Sequence, residues 1–142
     1  MLRVTLDSNA YVSALQFNGR AARLLRMAPD NDIEIAISEP LIAEVIGVLR
    51  ERFGWDGYRL HAEWERIKSI TKFVTPSGTL DVIDHYPPDN RILECADEAG
   101  SEFIVSEDKD LLRLKEHGNA RIIRAAEMLD IVQGKRERTP GR

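Results

Sequence analysis

The sequence predicts an α/β fold, a mainly parallel sheet covered by helices on both faces. Three observations predict it. Short apolar runs at residues 3–6, 33–37, 103–105 and 120–123 are separated by longer segments with helical periodicity. Strand and helix alternate along the chain, the order of a sheet whose crossovers are helices. The 142 residues are 43% hydrophobic and 31% charged, one domain's worth of ordinary globular protein with enough apolar side chains for a full core.

The elements follow in order. The first strand, residues 3–6, stops at Asp7, and Asp7-Ser8-Asn9 offers helix-starting side chains to a helix over 10–17. Asn18-Gly19 is a break, and a second helix covers 20–28, closed by Pro29-Asp30-Asn31-Asp32. Ile33-Glu34-Ile35-Ala36-Ile37 alternates and is β-branched, which predicts a strand. Ser38 is placed to cap a helix running to about Phe53, with Pro40 in its first turn. Gly54 and Gly57 bracket a loop; a helix follows over 58–70, then an extended Phe73-Val74-Thr75. Pro87-Pro88-Asp89 starts a helix ending near Gly100, followed by a strand at 103–105, a short helix at 110–115, a strand at 120–123 and a last helix at 125–132. Residues 1–133 thus form the domain. Residues 134–142 carry Lys135, Arg136, Arg138 and Arg142 with little to bury, and read as a basic, flexible tail.

Composition narrows the function. A net charge of −4 argues against a domain that grips nucleic acid by bulk positive charge, but not against a nuclease whose carboxylates are neutralised by metal ions. The single cysteine, Cys95, excludes an intramolecular disulfide and a multi-cysteine zinc site, and its helical surroundings predict a small buried hydrophobe. His61, His85 and His117 lack ligand spacing and are expected at the surface. No secretory leader is visible and no apolar run approaches the roughly 18 residues of a membrane helix, so a cytoplasmic protein without a membrane role is expected.

The informative residues are acids. Sites in open parallel sheets form beyond the carboxyl ends of strands. Asp7 stands there after the first strand, and Asp108, with Asp110 two residues on, stands there after residues 103–105. If those strands are neighbours, Asp7 and Asp108 come together. Taken singly, each is also an ordinary turn or helix cap. Glu44 sits at the border of the apolar stripe of Leu41, Val45, Val48 and Leu49, where an inward carboxylate is costly unless paired or bound to metal. Asp89 shares a face with Ile92, Leu93 and Ala96, while Asn90, Glu94 and Asp97 are expected to face elsewhere; Asp89 also suits a helix cap after Pro-Pro. Four converging carboxylates raise one another's pKa and call for cations, and oxygen-only ligands favour Mg²⁺ or Mn²⁺.

On these residues the chain resembles the PIN-domain family, in particular its bacterial and archaeal branch of toxin components of toxin–antitoxin pairs. Val4-Thr5-Leu6-Asp7-Ser8-Asn9 looks like the family's strand followed by Asp-Thr/Ser-Asn. The stretch from Ser38 through Leu41 to Glu44 looks like its Ser-x-x-Leu-x-x-Glu helix. Pro88 to Ala96 looks like the third motif, with Asp89 in the acidic position, and Val105 to Leu112 like the fourth, usually Thr/Ser-x-Asp-x-Asp. Each motif alone is weak; all four in order, across about residues 2–132, are specific.

The resemblance implies a three-layer α/β/α sandwich and Mg²⁺- or Mn²⁺-dependent cleavage of RNA. It also implies homodimers or higher homo-oligomers, and an antitoxin protein that blocks the site. It carries over Asp7, Glu44, Asp89 and Asp108 as catalytic acids that ligate metal or orient water, Asp110 as an auxiliary acid, and Ser8, Asn9 and Ser106 as groups that orient the carboxylates. Two positions depart from it: Glu107 stands where relatives often have glycine, and Pro88 replaces an acid common before Asp89.

Arg20, Arg23 and Arg26 recur every three residues and offer an RNA-contacting stripe, although a solvated helix face has the same pattern. Trp55 and Trp64 suit core or interface packing better than stacking on bases. Two other functions fit the composition. One is a non-catalytic PIN-like module that binds RNA or protein. The other is a Mg²⁺-dependent phosphoacceptor domain, which Ser8 and Asn9 after Asp7, and the lack of a lysine closing Ile122-Ile123-Arg124, argue against.

Overall fold

The computed structural model describes residues 2–28, 33–76 and 87–138. The strands are β1 (Leu2–Leu6), β2 (Ile33–Ser38), β3 (Lys72–Val74), β4 (Phe103–Val105), β5 (Glu116–His117) and β6 (Ala120–Ile123). The helices are α1 (Ser8–Gln16), α2 (Arg20–Met27), α3 (Glu39–Phe53), α4 (Gly57–Ile70), α5 (Pro87–Ala99), α6 (Lys109–Leu114) and α7 (Ala125–Arg138).

The six strands form one sheet in the order β3-β2-β1-β4-β6-β5, with every pair parallel except the antiparallel β5–β6 edge. This is the mixed α/β, mainly parallel sheet that the sequence predicts. Successive residues Val4, Thr5 and Leu6 of β1 are all fully buried, so both faces of the central strand are covered, as a parallel sheet requires. β2 does the same with Ile35, Ala36 and Ile37. From β1 the chain builds outward to β2 and β3, then returns to the other side of β1 with β4. The order therefore reverses between β1 and β4, where a crevice opens at the carboxyl ends of the strands.

Helix boundaries have local causes. Asp7 caps α1 and Asp56 caps α4 by accepting the amides of Ala10 and Arg59. Pro40 sits in the first turn of α3, and Gly54, at φ 68, closes it in the left-handed conformation. Among the described residues, no helix is long and apolar enough to cross a membrane.

Several local expectations are corrected. Ser38 precedes α3, but its hydroxyl makes no capping bond; it is buried beside the Cys95 thiol. Asn90 and Glu94 do not face away: they are 1% and 7% exposed, because α5 packs against β1, β2, β3 and α3 and is enclosed on more than one side. α7 continues to Arg138, past the expected end at residue 132 and into the stretch read as a tail. The hairpin strand β5 has no counterpart among the predicted elements.

Trp55 is buried, donates from Nε1 to Gln16 Oε1 at 2.9 Å and carries the Arg59 guanidinium over its ring at 3.6 Å. Trp64 packs edge-on to Phe73. Cys95 is buried, and burial pushes its thiol up to about 11. His61 and His117 lie beside Glu65 and Asp97; His85 lies outside the described residues.

Candidate active site

The crevice between β1 and β4 is a cleft of about 710 Å³. Parallel pairing sets Leu6 opposite Val105, and the Asp7 amide donates to the Val105 carbonyl at 3.0 Å. The residues that follow the two strands, Asp7 and Ser106 to Asp108, therefore meet at one edge of the sheet.

Asp7 is 2% exposed. Its Oδ1 accepts from the Ala10 amide at 2.7 Å and its Oδ2 from the Ser106 hydroxyl at 2.5 Å. Ser106 Oγ in turn accepts from the Asp108 amide at 2.9 Å. One hydroxyl thus ties the Asp7 carboxylate to the backbone of Asp108. Asp108 Oδ1 caps α6, accepting from the amides of Asp110 and Leu111 at 2.8 and 3.1 Å. Capping and site formation coexist, because each carboxylate has a second oxygen.

Burial pushes the Asp7 carboxyl from 3.8 up to about 6. The bonds from Ser106 and Ala10 pull it down, and the charges of Asp108 and Glu107 push it further up. Among the described residues no Lys, Arg or His pairs with Asp7. Asp7 is thus a buried acid that has hydrogen-bond donors but no counter-charge among the described residues.

The other acids are placed differently. Glu44, half-buried on α3, accepts from the Ser8 hydroxyl at 2.6 Å. It thus reaches the site through the residue next to Asp7. Asp110 lines the cleft and pairs with Arg113 at 3.1 Å. Asp89 is in the first turn of α5, and its side chain lies outside the described residues. Among the described residues, no three His, Cys, Asp or Glu side chains are grouped closely enough to hold a metal ion.

Asn9 is exposed and lines the cleft, as does Arg20. Arg23 and Arg26 are exposed but are not among the lining residues, and Arg26 bonds Asn18 Oδ1 at 3.0 Å.

Two further cleft residues were not singled out as site residues by sequence reasoning. Glu107 bridges from the β4–α6 loop to the start of α7: its Oε2 accepts from the Ala125 amide at 3.0 Å and its Oε1 from Arg124 at 3.2 Å. The unexpected acid at a glycine-rich position is thus a cap for the last helix. Lys109, the first residue of α6, also lines the cleft; its only sequence signal was adjacency to Asp108.

Comparison with known proteins bears on the family and the fold. The family model of the PIN domain matches residues 3–110. A structure described as VapBC2 from Rickettsia felis bound to a DNA fragment from their promoter superposes with a TM-score of 0.62 at 15% identity, covering 85% of this chain and 97% of that one. Mycobacterium tuberculosis VapC20, described as a Sarcin–Ricin loop cleaving toxin, superposes with a TM-score of 0.56 at 13% identity, covering 83% of this chain and 98% of that one. No curated protein matches the sequence. At these identities the two structures speak for the fold.

Proposed function

Because the chain belongs to the PIN-domain family, we propose that it is a divalent-metal-dependent ribonuclease and the toxin of a toxin–antitoxin pair. The observation that carries this reading is Asp7: a 2% exposed carboxylate beside Asp108, with hydrogen-bond donors but no cationic partner among the described residues. A buried acid without a counter-charge is costly unless an external cation joins it.

The donor set is all oxygen, which suits Mg²⁺ or Mn²⁺. Asp7 and Asp108 would hold the ion, with Glu44 and Asp89 completing the acidic set. When bound, the ion supplies the positive charge that offsets the phosphate and makes water a nucleophile at neutral pH. The chain's own contribution is orientation. Ser106 fixes the Asp7 carboxylate and, through the Asp108 amide, the loop opposite. Ser8 fixes Glu44. Asn9, exposed on the cleft, offers a polar side chain to substrate, and Asp110 is the auxiliary acid of the cleft, paired with Arg113. RNA as substrate is in keeping with the description of the mycobacterial neighbour as a loop-cleaving toxin. An antitoxin as partner fits the family branch that the motifs resemble.

The lack of a three-acid group among the described residues favours one other reading, a PIN-like module that binds RNA or protein without cleaving. Incubating the protein with single-stranded RNA and Mn²⁺ separates the two. The nuclease reading expects cleavage that stops with a chelator and in Asp7→Asn. Full cleavage by Asp7→Asn defeats the assignment of Asp7, and metal-independent binding without cleavage favours the module.

A further inference from the structure

The acids of the cleft divide into two kinds. Glu107 pairs with Arg124 at 3.2 Å and Asp110 with Arg113 at 3.1 Å, whereas Asp7 and Asp108 have neutral donors. Two cations, Arg20 and Lys109, line the same cleft, and neither pairs with a carboxylate among the described residues. They come from different elements. Arg20 opens α2, and Lys109 opens α6 beside Asp108. Both are exposed.

Arg20 and Lys109 share the cleft with Asp7 and Asp108 and come from two separate helices, so an anion entering the cleft meets positive charge from two elements of its lining. In a chain of net charge −4, such local cations must supply the attraction for a polyanion.

We propose that Arg20 and Lys109 bind the backbone phosphates on either side of the one to be cleaved, so that a single RNA strand crosses from α2 to α6 over Asp7 and Asp108. This rests on the ribonuclease reading and adds to it a substrate path. The contacts are to phosphate and therefore carry no sequence preference. Arg23 and Arg26, off the cleft, take no part.

The test uses the full chain carrying Asp7→Asn, to prevent turnover, and a labelled single-stranded RNA with Mg²⁺ present. Binding is followed by fluorescence anisotropy across a salt series. In that background Arg20→Ala and Lys109→Ala each weaken binding roughly tenfold at low salt. Each also flattens the slope of log K against log salt by about 0.7, the loss of one single-strand phosphate contact. RNAs of different sequence are affected alike. Arg50→Ala and Arg52→Ala, exposed cations on α3, serve as controls and bind as the parent does. Unchanged affinity and slope in Arg20→Ala and Lys109→Ala overturn the proposal, as does an equal loss in the α3 controls or a loss that depends on RNA sequence. If the parent binds no RNA and the unsubstituted protein cleaves none, the ribonuclease reading itself falls and takes this path with it. Thermal melts matching the parent's show that the variants are folded.

Discussion

Two buried acids stand near the carboxyl edge of the sheet and are treated in opposite ways. Glu94 on α5 is 7% exposed and lies in a cleft of about 290 Å³ beside β3 and the start of α3. Arg91, one turn earlier, meets it with Nε and Nη2 on its two oxygens, each at 2.9 Å. Asp7 is 2% exposed beside β4, and its partners are a serine hydroxyl and a backbone amide. The first acid brings its own cation and is a structural pair. The second has fixed geometry and open charge. Burial alone does not distinguish the two acids; among the described residues the counter-charge does.

The largest effect expected from this difference is on activity. Asp7→Asn, close to isosteric, should lower RNA cleavage by roughly 10³-fold or more, whereas Glu94→Gln should leave cleavage per folded molecule near that of the unsubstituted protein. Assays at matched folded concentration check this, and equal losses would erase the distinction.

Stability should separate the two acids the other way. Arg91→Ala leaves Glu94 buried without its cation and should cost roughly 3–5 kcal/mol in urea unfolding. Asp7→Asn, measured without metal, should stabilise. The folded pKa of Asp7, about 6, lies above its ordinary 3.8, so the folded chain keeps the proton longer. Stability is then full below about 3.8, falls as pH rises to about 6, and stays lower above that. The penalty approaches roughly 3 kcal/mol. Melting curves of the two proteins should therefore coincide near pH 4 and diverge by several degrees at pH 8. A wild-type melting point that does not fall across that window contradicts the uncompensated charge.

Ser106→Ala sharpens the comparison within the site. It removes the hydroxyl between Asp7 and Asp108 and should reduce cleavage about 10–100-fold, the range for groups that orient metal ligands. The smallest effect is that of metal on folding. Millimolar Mn²⁺ should raise the melting temperature of the wild-type protein by a few degrees through binding to the folded state. It should leave Asp7→Asn nearly unmoved. A rise of the same size in both would place the ion elsewhere.

The sheet and the meeting of Asp7 with Asp108 were legible because both depend on strong local signals: β-branched runs that end at an acid, in a fold whose strand ends gather on one edge. The roles of Asn90 and Glu94 were not. A helical wheel assumes one buried face, and α5 is buried on several. β5 was missed because two residues carry no periodicity. Its signal was the turn: Gly118-Asn119 joins Glu116–His117 to Ala120–Ile123 as a two-residue hairpin connection, with Gly118 at φ 59. The end of α7 was misjudged because Gly134 and the basic run after it resemble a stop, yet the helix continues to Arg138. Ser106 was found through the resemblance, but its bridging of two acids required the fold. The bearing of Asp89 on the site rests on sequence alone, since its side chain lies outside the described residues.

The bonds from Glu107 to the start of α7 have a mechanical consequence. α7 also packs on α2, whose first residue is Arg20. The loop bearing Ser106 and Asp108 is thus tied through Glu107 to α7, through α7 to α2, and through α2 back to the lining of the cleft. These contacts close a ring around the cleft. On the proposed path a strand would enter between elements already joined through α7, and spreading them would break a helix cap.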